Sequence, residues 1–160
     1  MIRPAERGDA RQICDIYNHY VVNTAISFEE TPVSHDEMGD RIQGVMPNLP
    51  WLVSEIDGNV AGYAYASRWR IRSAYRFSVE SSVYVDRKLV GQGIGRQLYE
   101  ALVKDLRARN LHCVLGGIAL PNAASVALHE AMGFKKVAHL TEVGRKFNQW
   151  IDVGYWELML

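Results

Sequence analysis

The chain is 160 residues long, 48% hydrophobic and 22% charged, the balance of a globular protein built as one domain over residues 1–160 with enough chain to bury a core. Lys plus Arg and Asp plus Glu each number 18, so no basic excess invites nucleic acid or an anionic membrane surface, and no apolar run reaches the ~18 residues of a membrane span. With no secretory leader, and with Cys14 and Cys113 outside any metal-ligand spacing, the expectation is a cytoplasmic protein with two free thiols and no metal site.

Residues 1–5 read as a short first strand. Asp9 follows as the N-cap of a helix whose core face is set by Ile13, Ile16, Tyr17, Tyr20 and Val21 at helical spacing. Residues 24–33, which include Phe28, read as a loop. Ser34 and Glu37 make a capping box for a second helix that turns Met38, Ile42 and Val45 inward and ends at Pro47 and Pro50. Residues 51–56 read as a strand that Asp57-Gly58-Asn59 turns into a hairpin partner over residues 60–69. An arginine-rich connection, residues 70–76, leads to the central strand, with Phe77, Val79, Val83 and Val85 on one face and Glu80, Ser82 and Tyr84 on the other. A glycine-rich turn opens a helix with Ile94, Leu98, Leu102 and Leu106 at i, i+4 spacing. Residues 111–119 form a further strand, expected beside and parallel to the central one because a helix separates them. Asn122 caps a fourth, short helix that stops at Gly133. Residues 134–143 and 150–158 close the chain as an antiparallel pair around a loop at residues 144–149.

Gly91, Gly93 and Gly95 leave the main chain bare where the central strand enters its helix. Successive N–H groups can then face one concavity at the positive end of the helix, which suits a phosphate or pyrophosphate. A dinucleotide site fits poorly, because the spacing is G-x-G-x-G and the strand that follows ends without an acidic residue for a ribose. A tight turn without a ligand would need fewer glycines than three at alternate positions.

Several polar side chains are candidates for chemistry. Asn122, Ser125 and His129 share one face of that short helix, either as its solvated side or as part of a site. Glu80 stands mid-strand, where a carboxylate is paired, exposed or functional; Arg68, Arg70, Arg72 and Arg76 are candidate partners. Those arginines, with Tyr75 among them, form either a solvated strand end or a cationic recess for an acidic group. Cys113 is a poor nucleophile, since the nearest histidine, His112, points to the opposite face of a strand.

The assembled pattern resembles the GNAT superfamily of acetyl-CoA-dependent N-acetyltransferases. Gly93 and Gly95 fall at the two glycine positions of its R/Q-x-x-G-x-G/A signature, while Val90 stands where Arg or Gln is usual, and P-N-A-A-S-V-A-L-H-E-A-M-G-F resembles its second CoA-contact segment. A more specific resemblance, over nearly the whole chain, is to the phosphinothricin and methionine sulfoximine/sulfone acetyltransferases, through I-Y-N-H-Y, P-W-L-V, A-G-Y-A-Y-A, R-S-A-Y, V-E-S-S-V-Y-V, L-H-E-A-M-G-F and W-I-D-V-G-Y-W. It implies an α/β (α+β) fold: a central, mostly antiparallel, twisted mixed sheet flanked by helices, with parallel central strands splayed for CoA. Glu80 is then the general base and His129 the second catalytic group, at the position where other members carry a tyrosine acid, with Tyr84 as the other proton donor. Acetyl-CoA is the co-substrate, held by Val83, Tyr84, Val85, Gly91, Gln92, Gly93, Ile94, Gly95, Arg96, Asn122 and Ser125. Phe28, Arg70, Arg72, Tyr75, Ser82 and Tyr84 line the substrate pocket, with Phe28 reaching across a homodimer.

The implied reaction is direct attack by an α-amine of a small amino acid or analogue (methionine sulfoximine, methionine sulfone, phosphinothricin). A protonated amine cannot attack a thioester, so Glu80 removes the proton, and a main-chain N–H near Tyr84 or Val85 stabilises the oxyanion if the strands part there. The alternatives are another amine (a polyamine, an aminoglycoside or a protein terminus) and a non-catalytic acyl-CoA-binding module.

Overall fold

In the computed structural model, which describes residues 1–160, the chain runs β1 (Ile2–Pro4), α1 (Ala10–Asn23), α2 (His35–Val45), β2 (Trp51–Ile56), β3 (Asn59–Arg68), β4 (Ser78–Val85), α3 (Ile94–Ala108), β5 (Cys113–Leu120), α4 (Ala123–Ala131), β6 (Lys135–Lys146) and β7 (Gln149–Met159). The seven strands make one sheet in the order β1-β2-β3-β4-β5-β7-β6. Only the central β4–β5 pair is parallel, as expected of two strands joined through a helix; every other pair is antiparallel.

Alternation along the strands supplies a core on each face. On one face α3 lays Ile94, Leu98, Leu102 and Leu106 against Val79, Val114 and Ile118, and all of these are buried. Each such leucine removed from water contributes roughly 1.5–3 kcal/mol. On the other face α1 and α2 bring Ile13, Tyr17, Val21, Met38 and Ile42 onto Val53, Val60 and Tyr63. Glu80, Ser82 and Tyr84 belong to this second face, whereas Val79, Ser81, Val83 and Val85 turn toward α3. Phe77, expected to join them, precedes β4 and is exposed.

Two local expectations are corrected. Asp9 does precede α1, but its carboxylate accepts from the Glu6 N–H and from both Arg3 Nη atoms instead of capping the helix, because a short 3-10 turn at Arg7–Asp9 intervenes. The loop expected at residues 144–149 is mostly strand. β6 and β7 run on to Lys146 and from Gln149, with only Phe147 and Asn148, at φ 51° and 57°, making a two-residue turn. Ser34 caps α2 by accepting from the Glu37 N–H at 3.1 Å, but the return half of the expected capping box is not made, because the Glu37 carboxylate is taken by Arg41 at 2.6 Å. No helix is long and apolar enough to cross a membrane.

Candidate active site

β4 and β5 pair only through Ser78–Cys113, Val79–Val114 and Glu80–Leu115. Beyond Glu80 they part: β4 stays with β3 as far as Val85, and β5 follows β7 as far as Leu120. The Asp86 N–H donates to Ala61 O, which fixes the alternation along β4: Ser82 and Tyr84 spend their main-chain groups on β3, while those of Val83 and Val85 face the gap. Tyr20 on α1 donates its hydroxyl to Val85 O at 2.5 Å, so the Val85 N–H remains the open donor at the far end. The gap leads to a narrow cleft of about 60 Å³ between Ser81, Val83, Tyr84, Tyr99, Gly117, Asn122, Ser125 and His129. Next to it lies a cavity of about 700 Å³ lined by Tyr17, Phe28, Glu29, Arg41, Tyr65, Glu80, Ser82, Tyr84 and Tyr155; Tyr84, Ser82 and Gly117 wall both spaces.

The chain leaves β4 through the glycine turn. Gly91 and Gly93 hold φ of 85° and 79°, conformations that a Cβ would strain, whereas Gly95 is an ordinary helical residue whose added Cβ would meet Leu128 and Val85 at 3.5 and 3.6 Å. Two of the three glycines are therefore demanded by the backbone. Gly93 caps α3 without a side-chain acceptor, and the first N–H within this segment to find a carbonyl is that of Gln97, which donates to Gly93 O. The N–H groups of Gly91, Gln92, Gly93, Ile94, Gly95 and Arg96 stay free at the positive end of a 15-residue helix, and no atom lies within 4 Å of where a Cβ on Gly91 or Gly93 would sit. Donors, dipole and open space fit a pyrophosphate. The Arg96 side chain is turned aside to Glu100 at 2.9 Å. Asn122 caps α4, accepting from the Ser125 N–H at 3.1 Å.

Glu80 points into the cavity half-buried, beside Gly117 and Tyr155, with no hydrogen bond or ion pair of its own. Burial raises its pKa above the usual carboxylate value, and the charge of Arg70 opposes that shift only in part. Tyr84 is wedged among Tyr17, Tyr20 and Tyr63 at centroid distances of 5.2, 5.3 and 5.4 Å; burial lifts its hydroxyl well above the ordinary tyrosine value, so it stays protonated. His129 is buried in spite of its place on a polar helix face. Its Nδ1–H donates to Ser125 O at 2.7 Å, so Nε2 accepts from the Tyr99 hydroxyl at 2.8 Å, and Tyr99 in turn shares a 2.6 Å bond with Ser81 Oγ. Burial lowers the imidazole pKa, which keeps the ring neutral with both nitrogens engaged. The ring can lie there because Gly116 has no side chain: a Cβ would come within 2.4 Å of Nε2.

The arginine recess adjoins the cavity: its Trp69 meets Tyr155 edge-on at 5.2 Å, and the charge of Arg70 reaches Glu80. Arg70, Arg72 and Tyr75 line a hollow of about 420 Å³ with Trp69 and Ile71, and Arg70 stacks on Trp69 at 4.9 Å. Phe28 lines the cavity of its own chain. The cavity's arginine is Arg41, which grips Glu29 through two bonds of 2.8 and 2.6 Å and also reaches Glu37. Sequence reasoning missed Tyr17, Glu29, Arg41, Tyr65 and Tyr155. Of these, Tyr65 had a signal, since period two puts it on the face of Tyr63, and its cross-strand neighbour is Ser82. Cys113 is buried, with its thiol pushed up to about 11 by burial and by Glu157, the opposite of an activated nucleophile.

A diphosphate cradle that feeds a gap between parallel strands, with a proton acceptor at its mouth, suits acyl transfer from a coenzyme A thioester to an amine. Residues 2–154 match the acetyltransferase (GNAT) domain, and the chain belongs to that family. It is an N-acetyltransferase with acetyl-CoA as co-substrate. Among its relatives, a phosphinothricin N-acetyltransferase of Streptomyces viridochromogenes is 41% identical over 98% of this chain and 85% of its own. An L-methionine sulfoximine/L-methionine sulfone acetyltransferase of Salmonella typhimurium is 38% identical over 99% and 94%. The crystal structure of a GNAT superfamily phosphinothricin acetyltransferase from Sinorhizobium meliloti in complex with acetyl-CoA superposes with a TM-score of 0.97 at 36% identity, covering 100% of this chain and 88% of that one.

Proposed function

We propose that the chain, acting as a single domain over residues 1–160, acetylates the α-amine of a small amino acid or analogue of the phosphinothricin, methionine sulfoximine and methionine sulfone kind. The observation that carries this reading is Glu80: a carboxylate of raised pKa, without a hydrogen-bond partner, in a cavity roomy enough for an amino acid where β4 and β5 part. Acetyl-CoA supplies the activated acyl group, its pyrophosphate held by the free N–H groups of residues 91–96 and its arm by the open edge of Val83 and Val85, with Asn122 and Ser125 on the opposite wall. Glu80 takes the proton that the substrate ammonium must lose. The Val85 N–H donates to the carbonyl oxygen as negative charge develops there. Tyr84, protonated and bordering both the cleft and the cavity, gives a proton to the departing thiolate and regains the one that the attacking nitrogen sheds as the amide forms; His129, its hydrogen committed to Ser125, shapes that wall through Tyr99.

The two buried thiols suit the reducing cytoplasm. A homodimer is supported by apolar surface beside the arginine recess, where Ile71 is 89% exposed and Phe77 48%. A partner packed on that surface would close over Arg70, Arg72 and Tyr75, beside the substrate site where Arg70 already acts on Glu80. Incubation with acetyl-CoA and each of the three analogues, read by mass spectrometry, is expected to yield an N-acetylated product from at least one. Absence of product from all three would overturn the amino-acid reading.

A further inference from the structure

We infer that Lys146 is a positioning residue of the substrate cavity: its ammonium fixes the segment after α1 so that Phe28 and Glu29 keep their places in the cavity wall. This rests on the reading of that cavity as the amino-acid site. Lys146 ends β6 and is only 3% exposed, unusual for a lysine. Its Nζ donates to Val21 O at 2.6 Å and to Ser27 O at 2.7 Å. Val21 lies in the last turn of α1, where carbonyls run out of helical partners and the helix end is negative, so a cation is well matched there. Ser27 belongs to the cavity-lining run of residues 26–29, and it is held again from the other side: its Oγ shares a 2.9 Å bond with the Tyr17 hydroxyl and accepts from the Glu29 N–H at 3.2 Å.

The same strand meets the same segment a second time. Two residues before Lys146, Gly144 lets the Phe28 ring approach β6 closely, where an added Cβ would sit 2.2 Å from the ring. One contact acts by charge and one by shape, and both set where Phe28 stands in the cavity. If holding the fold together were the whole purpose, an apolar side chain would serve as well, since burying an ammonium is costly and replacing a buried ion with a hydrophobe is often neutral. What a lysine adds is direction: two bonds to two named carbonyls, which fix the segment's path and not merely its burial.

The test compares Lys146→Met and Gly144→Ala with the wild type, using steady-state kinetics on the analogue that the wild type acetylates, acetyl-CoA thermal shift, and hydrogen exchange of residues 24–33. Each variant is expected to raise KM for the amine about tenfold or more, with the acetyl-CoA shift intact, and to speed exchange in residues 24–33 while α3 is unchanged. If Lys146→Met does not fold, Gly144→Ala carries the same prediction from the other contact. A folded, active Lys146→Met enzyme with wild-type KM and wild-type exchange would overturn the inference, as would equal loss of amine and acetyl-CoA binding. Should the wild type acetylate none of the analogues, the reading of the cavity falls, and exchange at residues 24–33 still decides whether Lys146 fixes the segment.

Discussion

Glu80→Gln isolates the proposed chemistry, because the carboxylate makes no bond to the rest of the chain and the amide keeps its shape. Loss of a general base costs about 10²–10⁴-fold, or roughly 2.7–5.4 kcal/mol of activation free energy at 1.36 kcal/mol per tenfold. The rate of thiol release should fall by at least the lower figure, with the acetyl-CoA thermal shift unchanged. The pH profile is the sharper reading. Burial raises the folded pKa of Glu80, so wild-type kcat/KM should climb with pH through one ionisation above the ordinary carboxylate range, and Glu80→Gln should lack that limb. Stability moves the other way. A carboxyl whose folded pKa is raised contributes stability below its unfolded pKa of about 4.3, and that contribution is lost as pH rises through the folded value. The variant should therefore gain Tm relative to the wild type as pH goes from about 4 to 7. A Glu80→Gln enzyme with full activity, or with the wild-type pH limb, would refute the assignment.

Gly93→Val places a β-branched side chain at φ 79°, a strain of about 1–3 kcal/mol, and crowds the free N–H groups; a folded variant should lose most of the Tm rise that acetyl-CoA gives the wild type. Tyr99→Phe removes the donor to His129 Nε2 and leaves Ser81 Oγ with only its 3.4 Å bond to Leu115 O, both groups buried; at roughly 1–3 kcal/mol the expected fall in Tm is about 3–10 °C, checked by calorimetry.

Most of the architecture was legible because its elements carry strong periodic signals. The i, i+4 leucines of α3, the Ser34 cap and the Asp57-Gly58 turn each name their structure locally, and two strands bridged by a helix leave parallel pairing as the simple choice. The extension of β6 and β7 was not legible. Their ends are largely exposed, a register shift between Leu140 and Gly144 breaks the alternation, and Phe147-Asn148 lacks the glycine that marks a two-residue hairpin turn. The site divides the same way. Glu80 and the glycine turn stand out because a mid-strand carboxylate and alternate glycines are anomalous. Glu29 and Arg41 look like ordinary surface charges until α2 is packed beside the segment after α1, and the buried state of His129 depends on the bare backbone of Gly116, one strand away. The arginine connection shows the converse: a conspicuous cluster that lines a hollow beside the cavity, where Arg70 alone acts on Glu80.

Acetylation of a small amino-acid analogue is the central claim, and competition among amine classes tests it most directly. With acetyl-CoA in excess, kcat/KM is measured for methionine sulfone, for an alanine-ended peptide and for a linear polyamine. The account predicts preference for methionine sulfone by on the order of a hundredfold, since a site that pairs with the amino acid's polar groups rejects ligands lacking them. A peptide or polyamine turned over as well as methionine sulfone would contradict it.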